Sequence, residues 1–289
     1  MFTIENKHLQ VVLAAKGAEL QSIYHKGHDL EYMWKADPAF WGKHSPILFP
    51  IVGTLKADQY FYNGKPYSLS RHGFARDMPF DVGSQKEDSI EFILKSIEKT
   101  ISVYPFQFTL SVFYSLNENK LITTYTVANS GSIDLYFSIG GHPAFSVPLV
   151  GETNYDDYYL EFNKSETLGR WPISKDGLIE KEPIPLLNHE NRLQLSKKLF
   201  YQDAIVLKRP ASNVVSLKSL KTPHGFDFSF DGFPYLGIWA ARDADFVCVE
   251  PWCGIADKVD SDQDFLKKEG IKKLTSRDKF VRSWSVSVF

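Results

Sequence analysis

The sequence predicts one all-β domain of antiparallel sheets, and three observations support that class. The 289 residues include 22 Phe, 14 Tyr and 6 Trp, which are residue types that favour strands. Apolar and polar residues alternate through the middle of the chain. Helical patterns are short, and they do not alternate with strands as in parallel-sheet nucleotide folds. Since sandwiches and barrels often reach such lengths as one unit, we expect a single domain over residues 1–289, with two packed sheets.

Two hairpins can be assigned from local patterns. The first is YFYNGKPYSLS, where Asn63 and Gly64 separate two aromatic runs and both tolerate a positive φ. The second joins FTLSVFYS to LITTYTVAN through the letters NEN, and each run places its apolar residues on one face. The letters NSGS at 129–132 predict a turn after the second hairpin.

Helical and irregular segments are expected in the second half of the chain. The letters NRLQLSKKLF and DFLKKEG carry the best helical patterns, each only a few turns long. The Pro-rich stretch at 171–191 begins WPISKDGLIEKEP and lacks periodicity. We expect this stretch to be a long surface excursion with strands on both sides.

Composition and charge exclude several classes of partner. The formal net charge is −2 and the pI is near 6.5, so no surplus of Lys and Arg is available to replace counterions along a nucleic acid. The N-terminal letters MFTIENKHLQ lack signal-peptide features, and no apolar run approaches the roughly 20 residues that span a bilayer. We therefore expect a cytoplasmic protein with no nucleic-acid or membrane partner. Cys248 and Cys253 have neither zinc-knuckle nor redox spacing, which predicts reduced, buried thiols.

Three short segments combine ionisable groups with local constraint: SRHGFARDM at 70–78, SIGGHPAFSVP at 138–148 and FVCVEPWCG at 246–254. In the last two, His142 precedes Pro143 and Glu250 precedes Pro251. A residue before proline is driven towards extended backbone, so each ionisable side chain is mounted stiffly at a strand end or bulge. The apolar surroundings of Glu250 predict a carboxyl group that is either paired or raised in pKa, and both outcomes are typical of functional sites.

Each of these residues also has a purely structural interpretation. His142 would be a hydrogen-bonded core histidine. Arg71 and Arg76 would form a solvated hairpin edge, with Glu250 paired to one of them. A metal site with two histidines and a carboxylate is a further alternative. Because His72 and His142 are 70 residues apart and no close metal-motif spacing is present, acid–base chemistry without a metal is the simpler interpretation.

The same segments resemble the aldose 1-epimerase (mutarotase) superfamily, and most of all its LacX-like branch. The resemblance covers nearly the whole chain through GAELQSI, SPILFPIVG, RHGFAR, GGHPAF and VCVEPW, which occur in family order. It implies a galactose mutarotase-like β-supersandwich, in which large twisted antiparallel sheets leave an open cleft on one side. It also implies a hexose as the small-molecule partner.

The resemblance further implies a role for each site residue. Glu250 would be the base that removes the anomeric hydroxyl proton, and His142 the acid that protonates the ring oxygen. His72 would donate to the ring oxygen or a nearby hydroxyl. Arg71 and Asp203 would bind sugar hydroxyls. Since ring opening requires one proton removed and another supplied, an acid and a base suffice, and we expect no cofactor and no metal.

Substrate identity depends on the positive charges near the cleft. The family's hexose-6-phosphate branch has additional basic residues around its pocket, whereas the letters FWGKHS before PILFP contain no arginine. Arg76 and Lys43 would both have to point inward to bind a phosphate. We therefore expect a neutral hexose, with a hexose-6-phosphate 1-epimerase and a non-catalytic carbohydrate-binding protein as alternatives. Trp252 and Phe74 are expected to pack in the core rather than face the sugar.

Overall fold

Antiparallel strands form most of the regular structure in the computed structural model, which describes residues 1–289. The strands, numbered in chain order, are β1 (Phe2–Glu5), β2 (Leu9–Ala14), β3 (Glu19–His25), β4 (Leu30–Glu31), β5 (Ile47–Leu48), β6 (Gln59–Tyr62), β7 (Lys65–Ser68), β8 (Asp81–Gln85), β9 (Ser89–Lys95), β10 (Phe108–Asn117), β11 (Lys120–Asn129), β12 (Leu135–Phe137), β13 (Ile139–Gly141), β14 (Ala144–Ser146), β15 (Tyr158–Arg170), β16 (Ile184–Gln194), β17 (Ile205–Lys208), β18 (Val214–Ser219), β19 (Phe226–Ser229), β20 (Tyr235–Trp239), β21 (Phe246–Cys253), β22 (Lys272–Leu274) and β23 (Lys279–Val288). The helical elements are α1 (Glu98–Val103) and the 3₁₀ turns Lys56–Asp58, Ala75–Asp77, Tyr155–Asp157, Lys197–Phe200 and Phe265–Lys267.

Two large sheets organise the fold. The nine-stranded sheet has the order β16-β15-β18-β19-β23-β11-β10-β9-β8. The six-stranded sheet has the order β17-β20-β21-β13-β5, with β14 also paired to β21. Strands β1 to β4 form a third sheet, and β6-β7 and β12-β22 form two-stranded ribbons. The antiparallel all-β prediction is confirmed, but the expected pair of sheets omitted three smaller ones, because local alternation identifies strands without showing which of them pair.

The core joins the two large sheets. The larger hydrophobic cluster contains 68 buried residues, and both sheets contribute to it. Strand β10 buries every second residue, as its alternation predicted. Strand β21 differs, because all eight of its residues are buried. A strand that is covered on both faces is held by packing on every side, so its polar side chains have fixed positions.

Both predicted hairpins are present. Strands β6 and β7 are joined by Asn63 at φ 50° and Gly64 at φ 74°, the left-handed pair that a two-residue type I′ turn requires. Strands β10 and β11 pair from Phe108 opposite Asn129 to Asn117 opposite Lys120. Their two-residue turn lies within the predicted letters NEN. Turn chemistry and alternation therefore determined the register of both hairpins correctly.

The helical predictions were largely wrong. Residues 191–194 of NRLQLSKKLF belong to β16, where Leu193 lies opposite Leu160, and only Lys197–Phe200 forms a short 3₁₀ turn. Leu193 and Leu195 are both buried, so the apolar spacing is that of a strand. DFLKKEG likewise contains only the turn Phe265–Lys267. The single α-helix has six residues, and no helix of the protein combines the length and apolar character needed to cross a bilayer.

The stretch at 171–191 was expected to be a surface excursion with strands on both sides, and the structure confirms an excursion that is shorter than expected. Strand β16 already begins at Ile184, so only residues 171–183 lie outside strands. Trp171 N donates to Val206 O of β17 in the six-stranded sheet (2.9 Å), and Ile179 N donates to Asp257 O in the loop after β21 (2.8 Å). Ile179 is buried. Segment 171–183 is therefore part of the wall of the fold.

Candidate active site

A cross-strand pair of ionisable residues lies in the middle of the six-stranded sheet. Alternation along β21 places Glu250 and Trp252 on one face of that strand. Strands β13 and β14 both pair with β21, and the register is the same on either side of the break at His142 and Pro143. His142 therefore stands directly opposite Glu250. Proline has no N–H to donate, so Pro143 and Pro251 interrupt the hydrogen-bond ladder of the sheet at this point, as expected for a bulge-like irregularity.

The side chains of His142 and Glu250 are in contact and almost fully buried. His142 Nε2 lies 3.2 Å from Glu250 Oε2, and the residues are 8% and 1% exposed. The imidazole is held by two indoles. Trp41 stacks on it with ring centroids 5.0 Å apart, and Trp239 meets it edge-on at 5.6 Å. The two indoles also contact each other, with centroids 5.4 Å apart, and together they restrict the plane of the imidazole relative to the carboxyl group.

Burial changes the protonation of this pair. Loss of solvation raises the pKa of Glu250 well above its ordinary value, with Arg71 acting in the opposite direction. Loss of solvation also lowers the pKa of His142 to about 3. Because the two groups touch, these values belong to the pair. Between the lowered pKa and the raised pKa the pair therefore holds one proton, which either residue can carry.

The backbone of RHGFAR is folded tightly around His72. His72 has φ 70° and Gly73 has φ 71°, and both values lie in the left-handed region. A Cβ at Gly73 would come within 2.3 Å of the Phe49 carbonyl oxygen, so only glycine fits there. Left-handed backbone at a non-glycine residue is strained and is frequent at functional sites. The glycine that follows His72 thus allows its imidazole to reach the pocket.

The hydrogen bonds of His72 define its tautomer. The Gly53 N–H donates to His72 Nδ1 at 3.1 Å, so Nδ1 is an acceptor and the ring hydrogen is on Nε2. Arg71 Nε lies 3.3 Å from His72 Nε2, but both atoms then carry hydrogen and this contact is not a hydrogen bond. Burial lowers the pKa of His72 well below its ordinary value, which keeps the ring neutral. His72 thus offers an Nε2–H donor to an acceptor in the pocket.

All six residues predicted from the sequence line one pocket of about 310 Å³: Arg71, His72, Arg76, His142, Asp203 and Glu250. The RHGFAR loop supplies three of them, β21 supplies Glu250, the break between β13 and β14 supplies His142, and the segment before β17 supplies the aspartate. Apolar side chains provide much of the remaining wall. This combination of an apolar wall with a few convergent polar groups is typical of small-molecule sites.

Asp203 has a local structural contact and also faces the pocket. Its Oδ1 accepts from the Ala204 N–H at 2.7 Å, which is the local cap expected of an aspartate before a strand. Its backbone has φ 80°, and its side chain also lines the pocket. Arg71 Nη2 lies 3.7 Å from the same Oδ1. An acceptor and a cationic donor therefore face the pocket side by side.

Of the other residues considered, Arg76 and Lys43 take different positions. Arg76 lines the pocket, and its Nη2 donates to the Arg71 carbonyl oxygen at 2.8 Å. Lys43 is not part of the lining, and its Nζ lies 3.3 Å from Asp77 Oδ1. The two cations that a phosphate was expected to need do not converge. Phe74 packs against other aromatic rings of the core, whereas Trp252 lines the pocket.

Several pocket residues were missed in the sequence. Trp41 and Trp239 touch His142 from separate parts of the chain, and Ile173, Gly177 and Ile179 come from segment 171–183. Trp41 lies within the quoted letters FWGKHS, so a large aromatic residue beside a site motif was an available signal. For the segment, the isolated Gly177 among apolar residues was the only local sign of a close approach.

Comparisons with known proteins agree with this geometry. A family model described as aldose 1-epimerase matches residues 1–263. The chromosomal and plasmid forms of Protein LacX from Lactococcus lactis subsp. lactis are each 33% identical over 294 residues, which cover 99% of this chain and 98% of theirs.

Solved structures show the same similarity. A galactose mutarotase related enzyme from Lactobacillus acidophilus superposes with a TM-score of 0.95 at 38% identity, covering 100% of this chain and 97% of that one. A galactose mutarotase-like protein from Lactobacillus casei ATCC 334 gives a TM-score of 0.94 at 33% identity, with 100% of both chains covered. The predicted galactose mutarotase-like fold is thereby confirmed.

Proposed function

The chain belongs to the aldose 1-epimerase family, and on this premise we propose that it interconverts the α and β anomers of a free hexose. The observation that carries the proposal is the buried pair of His142 and Glu250, whose side chains meet at 3.2 Å in a pocket that combines an apolar wall with a few polar groups. Ring opening moves one proton away from one oxygen and another towards its neighbour. An adjacent acid and base match that requirement.

The proposed reaction proceeds through the open-chain aldehyde. Glu250 removes the proton from the anomeric hydroxyl, and the electron pair of that O–H bond forms the carbonyl. The C1–O5 bond breaks, and O5 takes its proton from His142. Rotation about C1–C2 and reclosure on the other face of the aldehyde give the second anomer, with both protons returned. The chemistry balances without a cofactor or covalent intermediate.

The remaining polar residues would hold the sugar during this rotation. The Nε2–H of His72 is placed to donate to a ring or hydroxyl oxygen. Arg71 offers a charged donor and Asp203 a charged acceptor, which together suit vicinal hydroxyls. Apolar contacts from Trp41, Trp239 and Trp252 would cover the C–H faces of the sugar.

A pH profile tests the shared proton of the pair. The productive form has the proton on His142 and the charge on Glu250, while the alternative form has the proton on Glu250. Both forms contain one proton, so their ratio does not change with pH. We expect kcat/KM to show no inflection near pH 6.5, the ordinary pKa of histidine, and to fall as pH rises through the raised upper pKa of the pair. Polarimetry from about pH 5 to about pH 9 measures this.

The outcome separates two electrostatic descriptions of the site. An acid limb near pH 6.5 would mean that His142 titrates like a solvated histidine, and the proposed one-proton pair would then be wrong. The same assay also addresses the non-catalytic alternative. A protein that binds hexose by calorimetry without accelerating anomer exchange at any pH would be a binding module.

A comparison of free and phosphorylated sugars tests the substrate class. We expect kcat/KM for galactose or glucose to exceed that for the 6-phosphate by about tenfold or more, equivalent to about 1.4 kcal/mol. The reason is that Lys43 is engaged by Asp77 outside the pocket and Arg71 is assigned to sugar hydroxyls beside Asp203, so Arg76 would have to bind the phosphate alone. A preference for the 6-phosphate that is lost in Arg76→Ala would reverse this assignment, and Lys43→Ala is the matched control.

A further inference from the structure

Cys248 lies directly beside the proposed acid–base pair. It precedes Glu250 by two residues on β21, so alternation places both side chains on the same face of that strand. One ligand-capable atom from each of His142, Cys248 and Glu250 can be chosen so that all three lie within 4.8 Å of one another. All three residues are buried. A nitrogen, a sulfur and an oxygen donor therefore converge at the proposed reaction centre.

This donor set fits a particular class of ion. Imidazole, thiolate and carboxylate are the ligands of Zn²⁺, whereas Mg²⁺ and Ca²⁺ prefer oxygen donors. Bond lengths of about 2.0 Å to nitrogen and oxygen and about 2.3 Å to sulfur correspond to ligand atoms roughly 3.5 Å apart in a tetrahedron. The limit of 4.8 Å exceeds that spacing by about 1.3 Å, so binding requires small movements of these packed side chains. His142 Nδ1 forms no hydrogen bond in the protein, whereas Glu250 Oε2 lies 3.2 Å from His142 Nε2, a contact that must lose its proton when the ion binds.

We propose that His142, Cys248 and Glu250 bind Zn²⁺ as a three-ligand inhibitory site, with the fourth position open to water. Binding releases two protons to solvent, the thiol proton of Cys248 and the proton held by the His142–Glu250 pair, and leaves a zinc–thiolate bond. The ion takes the lone pairs that the proposed reaction uses on Glu250 and His142, so the zinc-bound protein cannot open the sugar ring. Inhibition rests on the proposed function, whereas coordination does not.

The route of entry makes zinc and sugar competitors. His142 and Glu250 line the pocket that opens to solvent, while Cys248 lies behind them with no exposed surface. An ion must therefore pass through the sugar site to reach the sulfur. Zinc inhibition is expected to weaken as the hexose concentration rises and to be reversed by a chelator.

The second cysteine provides a matched control. Cys253 is on the same strand and is equally buried, but alternation turns its side chain to the opposite face. Cys253→Ala should remain as sensitive to Zn²⁺ as the unmodified protein. Cys248→Ala should keep the basal anomer-exchange rate and need on the order of 100-fold more Zn²⁺ for half-inhibition, since even supporting residues of a metal site change affinity by 10- to 100-fold. Cys248→Ser serves where the alanine variant is poorly folded.

Cobalt provides a test that does not depend on activity. Titration of the protein with Co²⁺ should produce a thiolate-to-cobalt charge-transfer absorption that Cys253→Ala retains and Cys248→Ala loses. The site is refuted if that absorption is absent from the unmodified protein, or if Cys248→Ala keeps full zinc sensitivity. A charge-transfer band in a protein without anomer-exchange activity would support the metal site and refute the proposed function, so the two failures are distinguishable.

Discussion

Replacing Glu250 with glutamine should slow anomer exchange by roughly 100-fold or more, the loss expected for a positioned acid–base group. Glutamine has nearly the same shape and cannot accept the anomeric proton. The buried position of Glu250 opposite His142 means that no water can readily substitute for the lost base. Polarimetry with a free hexose measures the rate, and the far-ultraviolet circular dichroism spectrum should remain unchanged.

The same substitution should also stabilise the fold at neutral pH. The pKa of Glu250 is raised in the folded state, so as pH rises above about 4.3 the unfolded chain loses this proton while the folded chain retains it. The free energy of unfolding therefore falls with rising pH, by up to about 1.4 kcal/mol for each unit of pKa difference. Glu250→Gln has no such proton to lose, so its free energy of unfolding should not fall in this way as pH rises. Thermal denaturation of both proteins at about pH 5 and about pH 8 measures the difference.

Glu269 offers a matched control with the opposite sign. Its carboxylate is paired with Lys208 at 2.8 Å, and the hydrogen bond from Lys208 helps to lower its pKa. Glu269→Gln should lose stability at neutral pH and keep the catalytic rate. If Glu250→Gln retained the rate, Glu250 would not be the base. If it lost the rate together with thermal stability, the effect would be one of folding.

The parts of the fold that the sequence predicted are those that local physics determines. The Asn63-Gly64 turn and the alternation of β10 and β11 depend on neighbouring residues alone, and both were correct. The helix prediction for NRLQLSKKLF was wrong because a short apolar pattern fits both the helical and the strand period. Only the pairing with β15 shows that residues 191–194 form a strand. The end of the stretch at 171–191 was missed for the same reason, since its last residues belong to β16 and pair with β15.

In the candidate site, too, local sequence signals identified the residues but not the contacts between them. His142 and Glu250 carried local signals, because each precedes a proline and lies in apolar surroundings. Their exact opposition across β21 depends on strand register, which the two segments do not reveal separately. The indoles of Trp41 and Trp239 reach His142 through tertiary packing. The chemistry of a site can thus be read from residue types, whereas the contacts that orient it come from the fold.

Replacing His142 with asparagine is expected to have an effect of similar size on rate, roughly 100-fold or more, because the leaving ring oxygen would lose its proton donor. Sugar affinity should change little, since Arg71, His72 and Asp203 would still hold the hydroxyls. The exposed His189→Asn is the matched control and should leave both quantities unchanged. Polarimetry gives kcat and calorimetry gives Kd for each variant.

This separation of rate from affinity is what distinguishes catalysis from binding at this site. In a binding module, His142 would serve only as a hydrogen-bonding wall of the pocket, so its replacement would weaken Kd. In the proposed epimerase, the imidazole is buried with a lowered pKa and contacts Glu250. Its main contribution to the rate is the proton that it donates when the C1–O5 bond breaks. A His142→Asn protein with a normal kcat and much weaker sugar binding would therefore contradict the acid role. The geometry predicts the opposite result, a normal Kd with a kcat that is reduced roughly 100-fold or more.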